Sequence, residues 1–313
     1  MTEIPSPSPS VGYLGPTGTF TEQAILTQPD LANAHHVLCR SHSDVLFRTQ
    51  EGELDMGFCA IENAIEGTVN VIQDTLAFDT DLLIQREVVI GITMNLLVRP
   101  GTEMGSIKQV ISYPHALAQV RTFIRENLPD AETIAANSTA DAARLLAEDG
   151  DATQAAIGNA LAADQYKLEV AAAGIEDHKG NQTRFVLVAR DRVPPPSGHD
   201  KTSVVVYQRA DRPGSLLSIL QEFAARAINL TKLESRPTRQ GLGDYCFLLD
   251  LEGHISDELV ADCLRNLHAK HASVKFLGSY PAAGDHGASK RARADAAWSD
   301  AEAWVQNLRD KQH

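Results

Sequence analysis

Short apolar runs alternate with helix-patterned stretches over the first 190 residues. Val11–Leu14, Val37–Cys39, Asp55–Ile61, Val110-Ile111, Ala155–Ile157 and Thr183–Ala189 read as buried strands. Helices are expected over Ser43–Gln50, Ala116–Asn127, the run capped by Ser138 through Glu148, and the run capped by Asn159 through Lys167. Val69, Ile72 and Leu76 share one helical face, and Leu82–Val98 reads as two strand segments joined by a bend. Strands alternating with helices predict an α/β architecture. The pattern restarts after Pro100-Gly101, which suggests two lobes: lobe 1 over about 11–91 and 173–190, and lobe 2, inserted into it, over about 92–172. Residues 191–201, with Pro194-Pro-Pro-Ser-Gly, read as a linker. From 202 to 280 the order becomes βαββαβ, an α+β ferredoxin-like unit. Residues 281–313 are a polar linker and a tail helix, whose stripe of Trp298, Ala301, Val305 and Leu308, with Trp304 beside it, is expected to dock on the protein or on a second subunit.

Composition changes this picture little. Of 313 residues, 43% are hydrophobic and 22% charged, as in a folded globular protein. The net charge of −13 argues against nucleic acid and anionic membrane surfaces as partners, and makes Lys290–Arg293 a solvated basic patch. Cys39, Cys59, Cys246 and Cys263 form no Cys-x-x-Cys pair and are expected as reduced, buried thiols. The stretch Met1–Ser10 is Pro/Ser-rich without an apolar core, and no run of 18 apolar residues occurs. A cytoplasmic protein is the expectation. No metal ligand spacing is present, and His35-His36 is expected in a loop.

Candidate chemistry concentrates at a few loop ends. Asn181-Gln-Thr-Arg-Phe185 places a hydroxyl beside a guanidinium at the mouth of a strand. A guanidinium can hold a carboxylate at two points, which an ammonium cannot match. Alternation would send Thr183 and Phe185 to one face of that strand and Arg184 to the other, unless the strand begins later. Gly15–Glu22 packs glycines and hydroxyls before a helix capped by Thr19 and Glu22, a natural cradle for an anion. Glu62 and Asn63 stand at the C-terminal end of a buried strand, where open α/β sheets bind ligands. With Ser112–His115, these loop ends could all face one cleft between the lobes.

Four ordered motifs over about residues 11–280 resemble the monofunctional prephenate dehydratase family. They are Gly15-Pro-Thr-Gly-Thr-Phe-Thr21, Ile61-Glu-Asn63, Asp177 with Asn181–Phe185, and Pro213-Gly-Ser-Leu216 with Glu234-Ser-Arg-Pro237. The departures are Ala60, Ala64, Tyr113, His115 and Ser215. No all-helical mutase segment is read before residue 11. The resemblance implies a two-lobed, periplasmic-binding-protein-like α/β catalytic domain at 11–190 and a regulatory ACT domain at 202–280. It implies decarboxylative dehydration of prephenate to phenylpyruvate, feedback inhibition by L-phenylalanine, no cofactor, and a homodimer or homotetramer.

The resemblance also assigns residues. Thr183 would deliver a proton or hydrogen bond to the departing hydroxyl, with Glu62 as the acid or relay, and Arg184 would hold a carboxylate. Thr17, Thr19, Asn63, Ser112, Asn181 and Phe185 would surround the substrate, Phe185 more by packing than by chemistry. Asp211, Gly214, Ser215 and Leu216, with Asn229, Leu230, Glu234, Ser235 and Arg236, would form the phenylalanine site. Two other readings stand beside this one. An arogenate dehydratase differs by an amino group on the substrate, and a non-catalytic binding protein can share both folds.

Overall fold

A computed structural model describes residues 8–208, 213–239, 244–284 and 303–312. The chain divides into two compact units, Met1–Thr75 with Val88–Val186, and Leu76–Glu87 with Leu187–His313.

Lobe 1 contains β1 (Ser10–Leu14), α1 (Phe20–Leu26), α2 (Pro29–Ala32), β2 (His35–Cys39), α3 (His42–Glu51), β3 (Met56–Asn63), β4 (Gly67–Thr68), α4 (Asn70–Asp74) and β5 (Leu83–Gly91). Lobe 2 follows with β6 (Asn95–Val98), β7 (Gln109–Ser112), α5 (Pro114–Ala118), α6 (Arg121–Asn127), β8 (Glu132–Ala135), α7 (Thr139–Glu148), β9 (Gln154–Gly158), α8 (Ala160–Tyr166) and β10 (Glu169–Ala172). The chain then returns to the first sheet as β11 (Gln182–Ala189). The strand orders are β2-β1-β3-β11-β5, with β4 on β3, and β10-β6-β9-β7-β8. The unit boundaries therefore fall inside β5 and β11.

Local chemistry sets the helix starts. Ser41, Ser138 and Asn159 each accept the backbone N–H three residues on, and satisfy a donor that a helix start leaves unpaired. Three details depart from the sequence pattern. His35 and His36 lie in β2 and not in a loop, with the His36 ring 2.8 Å from the Leu31 carbonyl. Strands β8 and β10 escape the pattern because their residues are mostly exposed and polar-flanked. The helix expected over 116–127 breaks between α5 and α6, at Gln119 and Val120.

The C-terminal unit contains β12 (Asp200–Gln208), α9 (Ser215–Ala224), β13 (Leu230–Pro237), β14 (Tyr245–Glu252), α10 (Glu258–Asn266) and β15 (Ala272–Pro281). Its sheet order is β13-β14-β12-β15, antiparallel throughout. Val204, Val206, Phe247 and Leu249 of the sheet pack on Ile219 and Phe223 of α9 and on Val260 and Cys263 of α10. This is the expected βαββαβ unit.

Residues 76–87 cluster with this unit, although β5, which begins at Leu83, also forms the edge of the first sheet. The reason is a set of specific contacts. The Tyr207 hydroxyl donates to the Ala77 carbonyl at 2.6 Å, and Lys275 Nζ donates to the carbonyls of Ala77 and Thr80. Phe78 meets the Tyr207 ring edge-on at 6.2 Å and lies 5.0 Å beneath the Arg239 guanidinium. Gly278, at φ +134°, lies so close to Ile84 that a Cβ there would sit 2.6 Å from the Ile84 carbonyl oxygen. At the far end Lys201 reaches the Glu87 carboxylate at 2.8 Å.

Trp298 and the basic run Lys290–Arg293 lie outside the described residues. Within 303–312 the tail is helical, with Trp304 63% and Leu308 43% exposed.

Candidate active site

The hairpin of β3 and β4 builds the centre of the site. Glu62 pairs with Thr68 and Asn63 with Gly67 across it. In the turn, Asn63 Oδ1 accepts the N–H groups of Ile65 and Glu66, at 2.9 and 3.0 Å. Two N–H donors on one side of the amide fix its orientation, so Nδ2 must face the other way. There it donates to Thr183 Oγ1 at 2.8 Å and to Asn181 Oδ1 at 3.0 Å. Because the Thr183 oxygen accepts from Asn63, its own hydrogen remains for a different acceptor. A threonine held this way is a hydrogen-bond donor.

The chain of amides continues into lobe 2. Asn181 Nδ2 donates to Gln119 Oε1 at 3.0 Å, and Gln119 Nε2 donates to Glu66 Oε1 at 2.9 Å. Glu66 N–H returns to Asn63, so the four side chains close a ring whose direction every member shares. His115 Nδ1 lies 3.4 Å from the second Glu66 oxygen, and its ring stacks on Tyr113 at 5.3 Å. Two of the departures from the family pattern therefore sit together at this junction. A third, Ala64, contributes its backbone N–H to the Gln182 carbonyl at 2.8 Å.

β11 begins at Gln182, so the alternation applies to it. Thr183 and Phe185 are buried, at 9% and 1% exposure, with the less buried Arg184 between them. Arg184 Nη1 lies 3.6 Å from Glu62 Oε2, with side chains 11% and 39% exposed. The Thr183 oxygen accepts from Asn63, while Glu62 lies beside the Arg184 guanidinium. Asp177 lies at the crossing into lobe 2. Its carboxylate accepts the Thr122 N–H at the start of α6, and its own N–H donates to the Gln119 carbonyl.

Other expected residues stand elsewhere. The Phe185 ring stacks on Phe58 at 5.6 Å inside the core and is packing. The Ser112 hydroxyl is fully buried and donates to the Ile157 carbonyl, bracing β7 to β9. Thr19 Oγ1 accepts Glu22 N–H as the α1 cap. The Gly15 N–H donates to the Cys39 carbonyl and the Gly18 N–H to the Glu22 carboxylate. The anion cradle expected at Gly15–Thr19 thus has two of its donors engaged, one of them by a carboxylate that would repel a second anion. Thr17 contacts Tyr166 of lobe 2. The buried phenol of Tyr13 is pushed above the ordinary tyrosine range by desolvation first, then by the charge and hydrogen bond of Glu22.

Gln119 is the member of this ring that the pattern missed. It was hidden inside a continuous helical run. A glutamine four residues after His115 in an otherwise apolar segment was the available signal.

A second opening lies in the C-terminal unit, a cavity of about 470 Å³. Gly214, Ser215 and Leu216 at the start of α9, Ser235 of β13, and Tyr245 and Phe247 of β14 line it. Four expected residues lie off it. Leu230 packs on the helix-side core, ahead of a register shift between Leu230 and Lys232. Beyond that shift Ser235 faces the cavity, while Glu234 lies 3.5 Å from Lys232 and Arg236 follows the same parity. The Asn229 amide donates to the Glu252 carboxylate. Asp211 falls outside the described residues.

A two-lobed α/β domain with a hydroxyl donor and a guanidinium side by side at the start of one strand, next to the acid and amide that end its neighbour, followed by a βαββαβ unit with a small apolar cavity, is the architecture of an enzyme carrying its own ligand sensor. Residues 11–193 match the prephenate dehydratase family model and residues 202–269 the ACT domain model. The chain is 41% identical to the prephenate dehydratase of Mycolicibacterium vanbaalenii, over 96% of this chain and 99% of the relative. It is similar to the crystal structure of prephenate dehydratase from Arthrobacter aurescens in complex with L-Phe, at a TM-score of 0.86 and 40% identity, covering 96% and 99% of the two chains. It is also similar to GqqA, described as a novel type of quorum-quenching acylase, at a TM-score of 0.79 and 27% identity, covering 88% and 98%. The chain belongs to the prephenate dehydratase family.

Proposed function

We infer that this chain is a prephenate dehydratase, a carbon–oxygen lyase that makes phenylpyruvate, carbon dioxide and water from prephenate under control of L-phenylalanine. The observation that carries the reading of its site is the fixed Asn63 amide, which makes Thr183 a donor. Prephenate becomes aromatic on losing carbon dioxide and hydroxide, so the driving force is large and the obstacle is the leaving group. Hydroxide departs poorly unless a proton or hydrogen bond reaches it as the bond breaks. A positioned donor of this kind supplies roughly 10²–10⁴-fold. Thr183 takes that role, with Asn63 holding its oxygen. Arg184, oriented by Glu62, is the cation for one substrate carboxylate.

L-phenylalanine is the effector we assign to the C-terminal cavity. Its ring suits Leu216, Tyr245 and Phe247, and its carboxylate the N–H groups at the start of α9. Residues 202–280 serve as the regulatory domain, in a homodimer or homotetramer working in the cytoplasm. Among the described residues no helix is long and apolar enough to cross a membrane.

The test is to mix the purified chain with prephenate and follow phenylpyruvate absorbance in alkali, with and without millimolar L-phenylalanine. Phenylpyruvate formation that phenylalanine suppresses is expected. The absence of product, or hydrolysis of an N-acyl amide in its place, would overturn the assignment.

A further inference from the structure

Glu22 and Tyr166 are polar groups beside the cleft for which the dehydration itself has no use. Glu22 is 7% exposed, and its carboxylate takes the Gly18 N–H at 2.5 Å and interacts with the buried Tyr13 phenol. The loop from Gly15 to Thr19 is therefore held from within lobe 1. Its outer side meets α8 of lobe 2. The Tyr166 hydroxyl donates to the Thr17 carbonyl at 2.9 Å and lies 3.2 Å from Thr17 Oγ1, which is left to donate in return. Gly18, at φ +82°, sits so close that a Cβ on it would lie 3.1 Å from the Ala162 Cα. Beside it, Asn159 caps α8 with its oxygen while its amide nitrogen donates to Gln23 of α1 at 3.1 Å.

None of these residues belongs to the segments where the chain passes between the lobes. Those passages run together elsewhere, joined by Ile92 N–H to the Asn181 carbonyl and Ile175 N–H to the Met94 carbonyl. Among the described residues the lobes are thus tied both beside the crossings, through Gln119, and away from them, through Tyr166. A contact remote from the crossings is the one that lobe opening must break.

We propose that Tyr166, docking on the Glu22-braced loop 15–19, is the latch that closes lobe 2 over the cleft, and is a positioning residue for prephenate turnover. The proposal rests on the dehydratase reading of the same cleft. A closed state favoured by one hydrogen-bonded contact enters the apparent affinity through the closed fraction. Loss of the contact raises KM and leaves the chemical step to those molecules that still close.

Tyr166→Phe keeps the ring against Gly18 and removes the hydroxyl. In the full-length enzyme we expect KM for prephenate to rise about three- to tenfold, the range of a single net hydrogen bond, with kcat within twofold and Tm within about 2 °C. Hydrogen–deuterium exchange of peptides spanning 14–24 and 158–168 should quicken, with peptides around 119 and 181 unaffected. An unchanged KM with unchanged exchange would overturn the latch, and so would a lowered Tm with unchanged KM, which marks a structural role alone. If the wild-type chain fails to turn over prephenate, the dehydratase reading falls instead, and the exchange experiment still decides whether the contact holds the lobes.

Discussion

The proposed catalytic cleft and the proposed effector cavity are built in opposite ways. Around Thr183 the side chains of Asn63, Asn181, Gln119 and Glu66 leave hardly a polar atom undirected, and one turn of backbone fixes the sense of the whole ring. Around the cavity the lining is mostly apolar, and its polar groups include the helix start, Gln208, Ser235 and the Tyr245 hydroxyl. A site that must place one hydrogen needs every neighbouring donor and acceptor determined, because a single flipped amide would reverse the direction of the bond. A site that must only prefer one ligand can rely on shape and a few N–H groups. Catalytic function is therefore sensitive to isosteric changes that keep volume, and effector binding to changes of volume.

Four experiments separate these behaviours. The largest effect is expected of Thr183→Ala. Turnover should fall at least about a hundredfold, the scale of a lost positioned donor, with the melting curve little changed. A variant retaining half the wild-type kcat would remove Thr183 from the chemistry. Next comes Asn63→Asp, which keeps the shape and replaces the donating Nδ2 by an acceptor. Thr183 must then turn its hydrogen toward residue 63. The expected loss in kcat is about tenfold or more, and a kcat equal to wild type would mean that the sense of the ring is irrelevant.

At the cavity, Leu216→Ala should raise the phenylalanine concentration for half inhibition by about tenfold, through lost apolar contact. An unaltered titration would place the effector elsewhere. The smallest kinetic effect and a clear stability effect belong to Gly278→Ala. Its φ of +134° suits glycine, and a Cβ would meet the Ile84 backbone. A destabilisation of about 1–3 kcal/mol is expected, visible as a lowered Tm. An unchanged Tm would show that Ile84 can withdraw freely.

What the sequence disclosed follows from how locally each feature is encoded. Strands such as β11 and β14 announce themselves by consecutive apolar residues, and the caps at Ser138 and Asn159 by a side chain three residues from its target. Thr183 and Asn63 stood out because both lie at strand ends. Their bond, between residues 120 positions apart, was not legible, since it depends on how β3 and β11 come together. Gln119 was invisible for the reverse reason. Its neighbours carry a helical pattern, and the break that frees it arises where α5 gives way to α6. At Gly15–Thr19 the sequence shows donors without showing that Glu22 already takes one of them.

Residues 76–87 carry a consequence for how such enzymes can be recombined. They are encoded more than a hundred positions before the linker, yet Tyr207, Lys275 and Gly278 fit against them specifically. A chimera joined at the linker, with this regulatory domain exchanged for a foreign one, would inherit a strap cut for a different partner. The portable module is discontinuous, and a working graft must bring Leu76–Glu87 along with everything after Leu187.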